Sequence, residues 1–307
     1  MRGINQYNMR ALWKEGPVCW KIGRVLYVSI VFSWDVDKAL AIIQNYTDKR
    51  KCKVVVGGPA AQLNRERFDG IAEVRNTCEG VEPVLFHNPL ASFSTRGCVN
   101  KCPFCAVPKI EGDFREIENF RPAPVMCDNN FLAASKKHQE RVVDSLLQYD
   151  IVDFDQGLDA RLFTPEAAGN LGRLKRLHLV FAFDHIGSES YVADAVALAK
   201  KTIKTEAPTI YVLYGFHDTL DETLYRLEKV LEWGFFPAPL RYQPLDAKHR
   251  NGYVDANWTE LLLKKVAKYY FQARYTLRYD NGVAWTKNRI PFNEYDFQKH
   301  TDERRLF

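Results

Sequence analysis

The chain has 307 residues, 43 Lys and Arg against 38 Asp and Glu for a net charge of +5, 46% hydrophobic residues and 26% charged ones. Those proportions belong to a folded globular protein and exclude disordered, collagen-like and coiled-coil chains. No apolar run reaches the ~20 residues of a membrane helix and the N-terminus lacks the sections of a signal peptide, so a cytoplasmic protein away from membranes is expected.

In chain order, residues 24–32 form a β-branched and aromatic run that reads as a strand. Asp35 is expected to cap a helix whose inner face holds Val36, Ala39, Leu40 and Ile43, and residues 53–56 give a second strand ending in Gly57-Gly58-Pro59. This predicts a short Rossmann-like α/β unit over residues 1–90 with parallel pairing. From residue 91 the alternation becomes regular. Strands are expected at 92–95, 124–128, 151–154, 177–183, 209–214 and 238–242. Helices follow from Ser135, from Thr164-Pro165-Glu166, from Ser188 as cap, and from Thr219 with Glu222 closing a capping box. Six strands with helical crossovers imply a parallel sheet over 91–245, flat or curved into a partial barrel. Residues 246–307 form an extension with a long helix over 258–278.

Seven cysteines in a chain without a secretory signal argue against a disulfide framework. Three of them crowd into Ser94-Thr95-Arg96-Gly97-Cys98-Val99-Asn100-Lys101-Cys102-Pro103-Phe104-Cys105, a C-x3-C-x2-C spacing on a polar, turn-rich segment. A structural zinc would want a fourth ligand, and no nearby His or Cys is spaced to supply it. Three thiolates with one open position instead suit a substrate-binding iron–sulfur cluster.

With the aromatic Phe104 immediately before the third cysteine, this segment resembles the signature of the radical S-adenosylmethionine (radical SAM) superfamily, and the resemblance extends over about residues 90–245. It implies a partial (β/α)6 TIM-like barrel and a [4Fe–4S] cluster on Cys98, Cys102 and Cys105. It further implies S-adenosylmethionine (SAM) on the open iron, cleaved to a 5′-deoxyadenosyl radical that abstracts a substrate hydrogen. Ligands of parallel sheets gather at the carboxyl ends of the strands. The resemblance therefore assigns Asp128, Asn129 and Asn130 to the methionine ammonium, and Gln156 and Arg161 to the next strand end, with Arg161 able to pair with the methionine carboxylate. Asp184 falls to the ribose and Leu213 to the strand flanking adenine. It also implies an electron donor such as a flavodoxin or ferredoxin.

The N-terminal unit, with Val54-Val55-Val56-Gly57-Gly58-Pro59, resembles a shortened cobalamin-binding domain but has no Asp-x-His-x-x-Gly motif, so cobalamin is not expected. Cys105-Ala106-Val107-Pro108, Gly112 and Arg115 are also similar to the tRNA methylthiotransferases, which leaves open an auxiliary cluster on Cys19, Cys52 and Cys78. A non-catalytic iron–sulfur electron-transfer protein is the other alternative. Residues 241–307 carry 13 basic and 8 acidic side chains with 13 aromatic rings, while residues 1–240 are balanced at 30 and 30. This tail is expected to cover the mouth of the barrel, with Leu262, Val266, Tyr269 and Ala273 facing inward and Lys264, Lys265, Lys268 and Arg274 free to meet the phosphates of a nucleic acid or nucleotide substrate.

Overall fold

The computed structural model describes residues 9, 11–48, 52–76, 78, 81–205, 208–279 and 290–295, and for 272–279 the backbone alone. Among them, residues Val18–Ile22 (β1), Val25–Ser29 (β2), Lys53–Gly57 (β3) and Glu73–Val74 (β4) make one four-stranded sheet in that order. Pairing is parallel from β2 through β3 to β4, as the strand–helix–strand pattern predicts, and antiparallel between β1 and β2. The helix Val36–Thr47 (α1) buries Val36, Ala39 and Ile43 against Leu26, Val28 and Val54 of this sheet. Asp35 does not cap it. Its buried carboxylate accepts a hydrogen bond from Lys38 Nζ at 2.7 Å, because a 3-10 turn over Ser33–Asp35 already winds into the helix. The short helices Pro59–Leu63 (α2) and Val84–His87 (α3) complete this part.

The second half is built on parallel strands. Ala91–Ser92 (β5), Val125–Met126 (β8), Val152–Phe154 (β9) and Leu177–His178 (β10) form one sheet, and Val180–Ala182 (β11), Thr209–Tyr214 (β12) and Phe236–Arg241 (β13) form another, every pairing parallel. Only Leu179 separates β10 from β11. One segment thus pairs with β9 at its start and with β12 at its end, and six parallel segments succeed one another in chain order. Between them run the helices Lys136–Leu146 (α5), Pro165–Leu171 (α6), Glu189–Thr202 (α7) and Leu220–Glu232 (α8). The expected caps at Ser135, Thr164 and Thr219 with Glu222 are made, whereas Ser188 turns its hydroxyl back to the His185 carbonyl.

The strands are buried on both faces. Met126, Val152, Phe154 and Phe181 pack against the helices in one large core with Leu146, Leu171 and Val196. Val125 and Cys127 face the other way and meet Met9, Ala91 and Ile151 in a separate cluster. On that second face the fully buried Asp153 accepts from or donates toward His178 Nδ1 at 2.9 Å across the β9–β10 pair. Burial on both sides explains why these strands read as continuous apolar runs and not as alternating ones.

One expectation is corrected here. Residues 92–95 do not make one strand: after β5 the chain turns, and Thr95–Arg96 (β6) pairs antiparallel with Arg115–Glu116 (β7), so a small hairpin brackets the cysteine loop and its short helix Val107–Ile110 (α4). The long helix Glu260–Tyr279 (α9) turns Val266 and Tyr269 inward, as expected, with Leu262 packed against the same core. It buries Leu263, Val266, Tyr269 and Tyr270 in the helix-side core, and Tyr270 donates to Glu228 Oε1 on α8 at 2.6 Å. Lys264 pairs with Glu260 at 3.1 Å, Lys265 lies 4.7 Å over the Phe292 ring, and Lys268 has a partner as well. Ala273 and Arg274 lie outside the described side chains.

Candidate metal and cofactor site

The loop that carries the three cysteines is held in place by two carboxylates. Asp128, at the end of β8 and 1% exposed, accepts from Ser94 N at 2.7 Å, Ser94 Oγ at 2.8 Å, Thr95 N at 2.5 Å and Thr95 Oγ1 at 3.1 Å. Burial pushes its carboxyl pKa up, against these four donors. Asp128, expected at the methionine ammonium, here fixes the backbone where the chain leaves β5. Glu111, just past α4, accepts from Arg96 at 2.7 Å, Gly97 N at 2.8 Å and Asn129 Nδ2 at 2.8 Å. Gly97 has φ +74°, and a Cβ there would collide with the Asp113 carbonyl oxygen, so only glycine lets the chain turn into Cys98 this close to the returning strand. Asn129 braces the loop through Glu111.

Within the loop, Cys98 Sγ accepts from Asn100 N at 3.4 Å and from Asn130 Nδ2 at 3.7 Å, and Cys105 Sγ accepts from Val107 N at 3.5 Å. Cys102 and Cys105 are both raised in pKa, first by burial; each also feels the negative charge of Cys98 and of Asp184, while Arg161 pulls Cys102 the other way. The three thiols and Asp184 thus share one neighbourhood at the carboxyl ends of the strands. Asp184 accepts from Leu213 N at 3.0 Å, so these two expected cofactor residues are brought together as neighbours on β11 and β12. Burial raises the pKa of Asp184, and the Arg226 charge partly offsets it.

Asp159 organises the far side. It accepts from Asn100 Nδ2 at 2.9 Å, Asn130 Nδ2 at 3.0 Å and, through both oxygens, from Arg161 at 2.7 and 2.8 Å. Burial works to raise its pKa, but those hydrogen bonds and the Arg161 charge together hold it below the usual carboxylate range. Arg161, expected at the methionine carboxylate, makes a fork-to-fork pair with Asp159 here. Gln156 is exposed and donates to its neighbour Asp155 at 3.2 Å. Phe104, half-buried, stands edge-on to Phe216 at 5.7 Å.

Sequence reading missed Asp159, Glu111, Asn100 and Arg226. Arg226, 1% exposed on α8, donates to the carbonyls of Phe183 and Leu213 at 3.2 and 2.8 Å and to Asp218, lashing together the ends of β11 and β12. Asp159 had a local signal, an acid two residues before Arg161 at a turn. Glu111 had none, because its partners are 14 to 18 residues away.

The donor set fits an iron–sulfur cluster. Three thiols alternate with turn residues, two of the sulfurs already accept backbone N–H groups, and the Oδ1 of Asn130, 2% exposed, is buried beside them with no hydrogen-bond partner. Among the described residues, no three His, Cys, Asp or Glu side chains converge as a single metal ion would require. A cluster of four irons presents separate metal corners, so its thiolates need not meet at one point. Cys19 is exposed on β1 and Cys52 packs against the core of the first sheet.

No protein-family model and no curated protein sequence matches the chain. Solved structures do, among them two of the radical S-adenosylmethionine methyltransferase TsrM from Kitasatospora setae. One, with cobalamin and a [4Fe–4S] cluster bound, is 12% identical with a TM-score of 0.54 over 74% of this chain and 66% of that one. The other, with tryptophan substrate and the SAM analogue aza-SAM bound, is 11% identical with a TM-score of 0.54 over 74% and 65%. The chain thus spans just under two thirds of the length of TsrM. The likeness is one of fold: parallel sheets with helices in a mixed α/β chain.

Proposed function

We propose that this protein is a radical SAM enzyme whose Cys98, Cys102 and Cys105 hold a [4Fe–4S] cluster. The observation that carries the reading is the C-x3-C-x2-C loop at the carboxyl ends of parallel strands, with a buried, unpartnered Asn130 Oδ1 beside Cys98. In this reading the six parallel segments are the staves of a partial (β/α)6 barrel over residues 91–245. Residues 1–90 form a truncated cobalamin-binding-like unit and 246–307 an extension.

When bound, the cluster supplies one electron that splits SAM into methionine and a 5′-deoxyadenosyl radical able to take a hydrogen atom from the substrate. The protein's own work is to hold and orient. The N–H groups of Asn100, Val107 and Asn130 stabilise negative charge on sulfur. Asn130 Oδ1 has an acceptor to offer an ammonium, in place of the Asp128 carboxylate. Asp184 has a carboxylate for the ribose hydroxyls beside the Leu213 backbone, and Phe104 closes one wall against water. Glu111, Asp128 and Asp159 keep these groups fixed so that little reorganisation accompanies the reaction.

A flavodoxin or ferredoxin is the electron donor in this proposal, and the substrate is a nucleic acid or nucleotide. Cobalamin, which one TsrM structure contains, is not a cofactor in this reading, since the chain has no Asp-x-His-x-x-Gly motif. Anaerobic reconstitution with iron and sulfide, followed by SAM and a strong reductant, tests the proposal. It expects 5′-deoxyadenosine and methionine in equal amounts. A reconstituted protein with full iron loading that leaves SAM intact under reduction overturns it.

A further inference from the structure

The residues just beyond the carboxyl ends of β12 and β13 form a series of aromatic rings leading away from the cysteine loop. Phe104 meets Phe216 at 5.7 Å, Phe216 meets Tyr242 at 4.6 Å, and Tyr242 meets Tyr253 at 5.2 Å. All four are half-buried, so each keeps part of its ring open to solvent. The loop carrying the last two is built, not slack. Gln243 and Asn251 exchange two hydrogen bonds, at 2.9 and 2.8 Å, and Arg241 anchors the return by donating to the Tyr253 carbonyl at 2.6 Å while pairing with Glu260. The closed turn presents Lys248, His249 and Arg250, all exposed, against a single exposed acid, Asp246.

A second aromatic feature lies against this loop. Phe32 and Trp34 stack nearly parallel, 4.6 Å apart with 8° between planes, and Phe32 is 49% exposed. Between them Ser33 Oγ donates to the Leu245 carbonyl, which binds the aromatic pair to the basic turn. The nearest exposed acid of α1, Asp37, is engaged by Arg67 at 2.6 Å. The pair sits just beyond the end of β2, at the carboxyl edge of the first sheet, where parallel sheets bind ligands. An exposed, stacked apolar pair beside a cationic turn has the composition of a stacking platform: rings to receive flat bases and cations to receive the phosphates between them.

We propose that Phe32, Trp34, Tyr242, Tyr253, Lys248 and Arg250 form the binding surface for a single-stranded nucleic acid whose target base reaches toward the cysteine loop past Phe216. This deepens the proposed function and rests on it. Bases stack on the rings, while Lys248 and Arg250 neutralise phosphates and release their counterions. It also moves the anion-binding role from the face of α9, where the lysines are engaged, to the turn after β13.

The test is fluorescence anisotropy of labelled 20-nucleotide single-stranded RNA and DNA with the reconstituted full chain, from low to high salt. Binding should weaken steeply with salt. Lys248→Ala with Arg250→Ala should flatten the plot of log Kd against log salt by about 1.4, since each lost phosphate contact on a single strand removes about 0.7. Phe32→Ala and Tyr253→Ala should each weaken binding about five- to a hundred-fold with little change in that slope, and Tyr253→Phe should restore it. A preference for RNA over DNA points to recognition of the 2′-hydroxyl. No binding at low salt, or binding that none of these variants alters, overturns the interface. So does a salt-independent change in Trp34 fluorescence with free tryptophan while oligonucleotides fail to bind. The same wild-type preparation is assayed for 5′-deoxyadenosine without oligonucleotide, so loss of the radical reading and loss of the interface are seen separately.

Discussion

Asp159 shows how one carboxylate can hold a site without touching what the site binds. It gathers Asn100, Asn130 and Arg161, and two of those also bear on Cys98. Replacing it with Ala would leave the buried Asn130 amide short of an acceptor, a loss of about 1–3 kcal/mol. Asp159→Ala is expected to lower thermal stability and to reduce iron retention after reconstitution, with Asp159→Asn milder in both. Melting curves and iron assays before and after gel filtration check this. The cysteines themselves admit no substitute nearby: Cys98→Ala, Cys102→Ala or Cys105→Ala should each abolish the cluster absorbance and SAM cleavage. Stoichiometric zinc in a fully active wild type would contradict that expectation.

Elements are joined by buried polar side chains whose partners lie on other elements. His87 ends α3 and contacts Ser29 Oγ at the end of β2 at 2.9 Å. Burial lowers its pKa to about 4, and the Lys14 charge pushes the same way. The unfolded chain takes up a proton near pH 6.5 that the folded protein refuses until about pH 4. The contribution of His87 is therefore fully present above pH 6.5 and is lost as pH falls toward 4, by up to about 3 kcal/mol. Urea midpoints measured from pH 7 to 4 should show that decline, and His87→Gln should flatten it. Arg226 does similar work across β11, β12 and α8. Arg226→Leu removes the cation beside Asp218, whose carboxylate keeps only neutral donors from Gly215, Phe216, Thr223 and Trp258, and takes a donor from two strand-end carbonyls; it should destabilise the fold by about 3 kcal/mol.

Across the whole molecule, the count of clusters separates the two enzyme readings. Iron analysis of the reconstituted protein should give about four irons per chain. About eight, falling to four when Cys19, Cys52 and Cys78 are replaced together, would favour the methylthiotransferase-like alternative. Hydroxocobalamin should leave no coloured complex after gel filtration. A retained corrinoid spectrum would instead overturn the exclusion of cobalamin.

The sequence by itself determined the strand and helix sequence from residue 124 onward, the parallel β2–β3 unit and the three cysteines, because each rests on a local signal: an apolar run, a cap, a spacing. Thr164 and Thr219 cap their helices as read, since a hydroxyl three residues before a free N–H acts within one turn. Tertiary structure alone decided what each polar group near the cysteines does. Asp128 bonds Ser94 and Thr95, and Arg161 pairs with Asp159; the Asp128 pairings depend on which strand ends the fold brings side by side. The tail followed the same rule. Its charge was legible, but the lysines of α9 are engaged beside Glu260 and Phe292, while the turn at 248–250 stands exposed, because α9 buries its apolar face among the helices of the core. A charge count has no direction until packing gives it one.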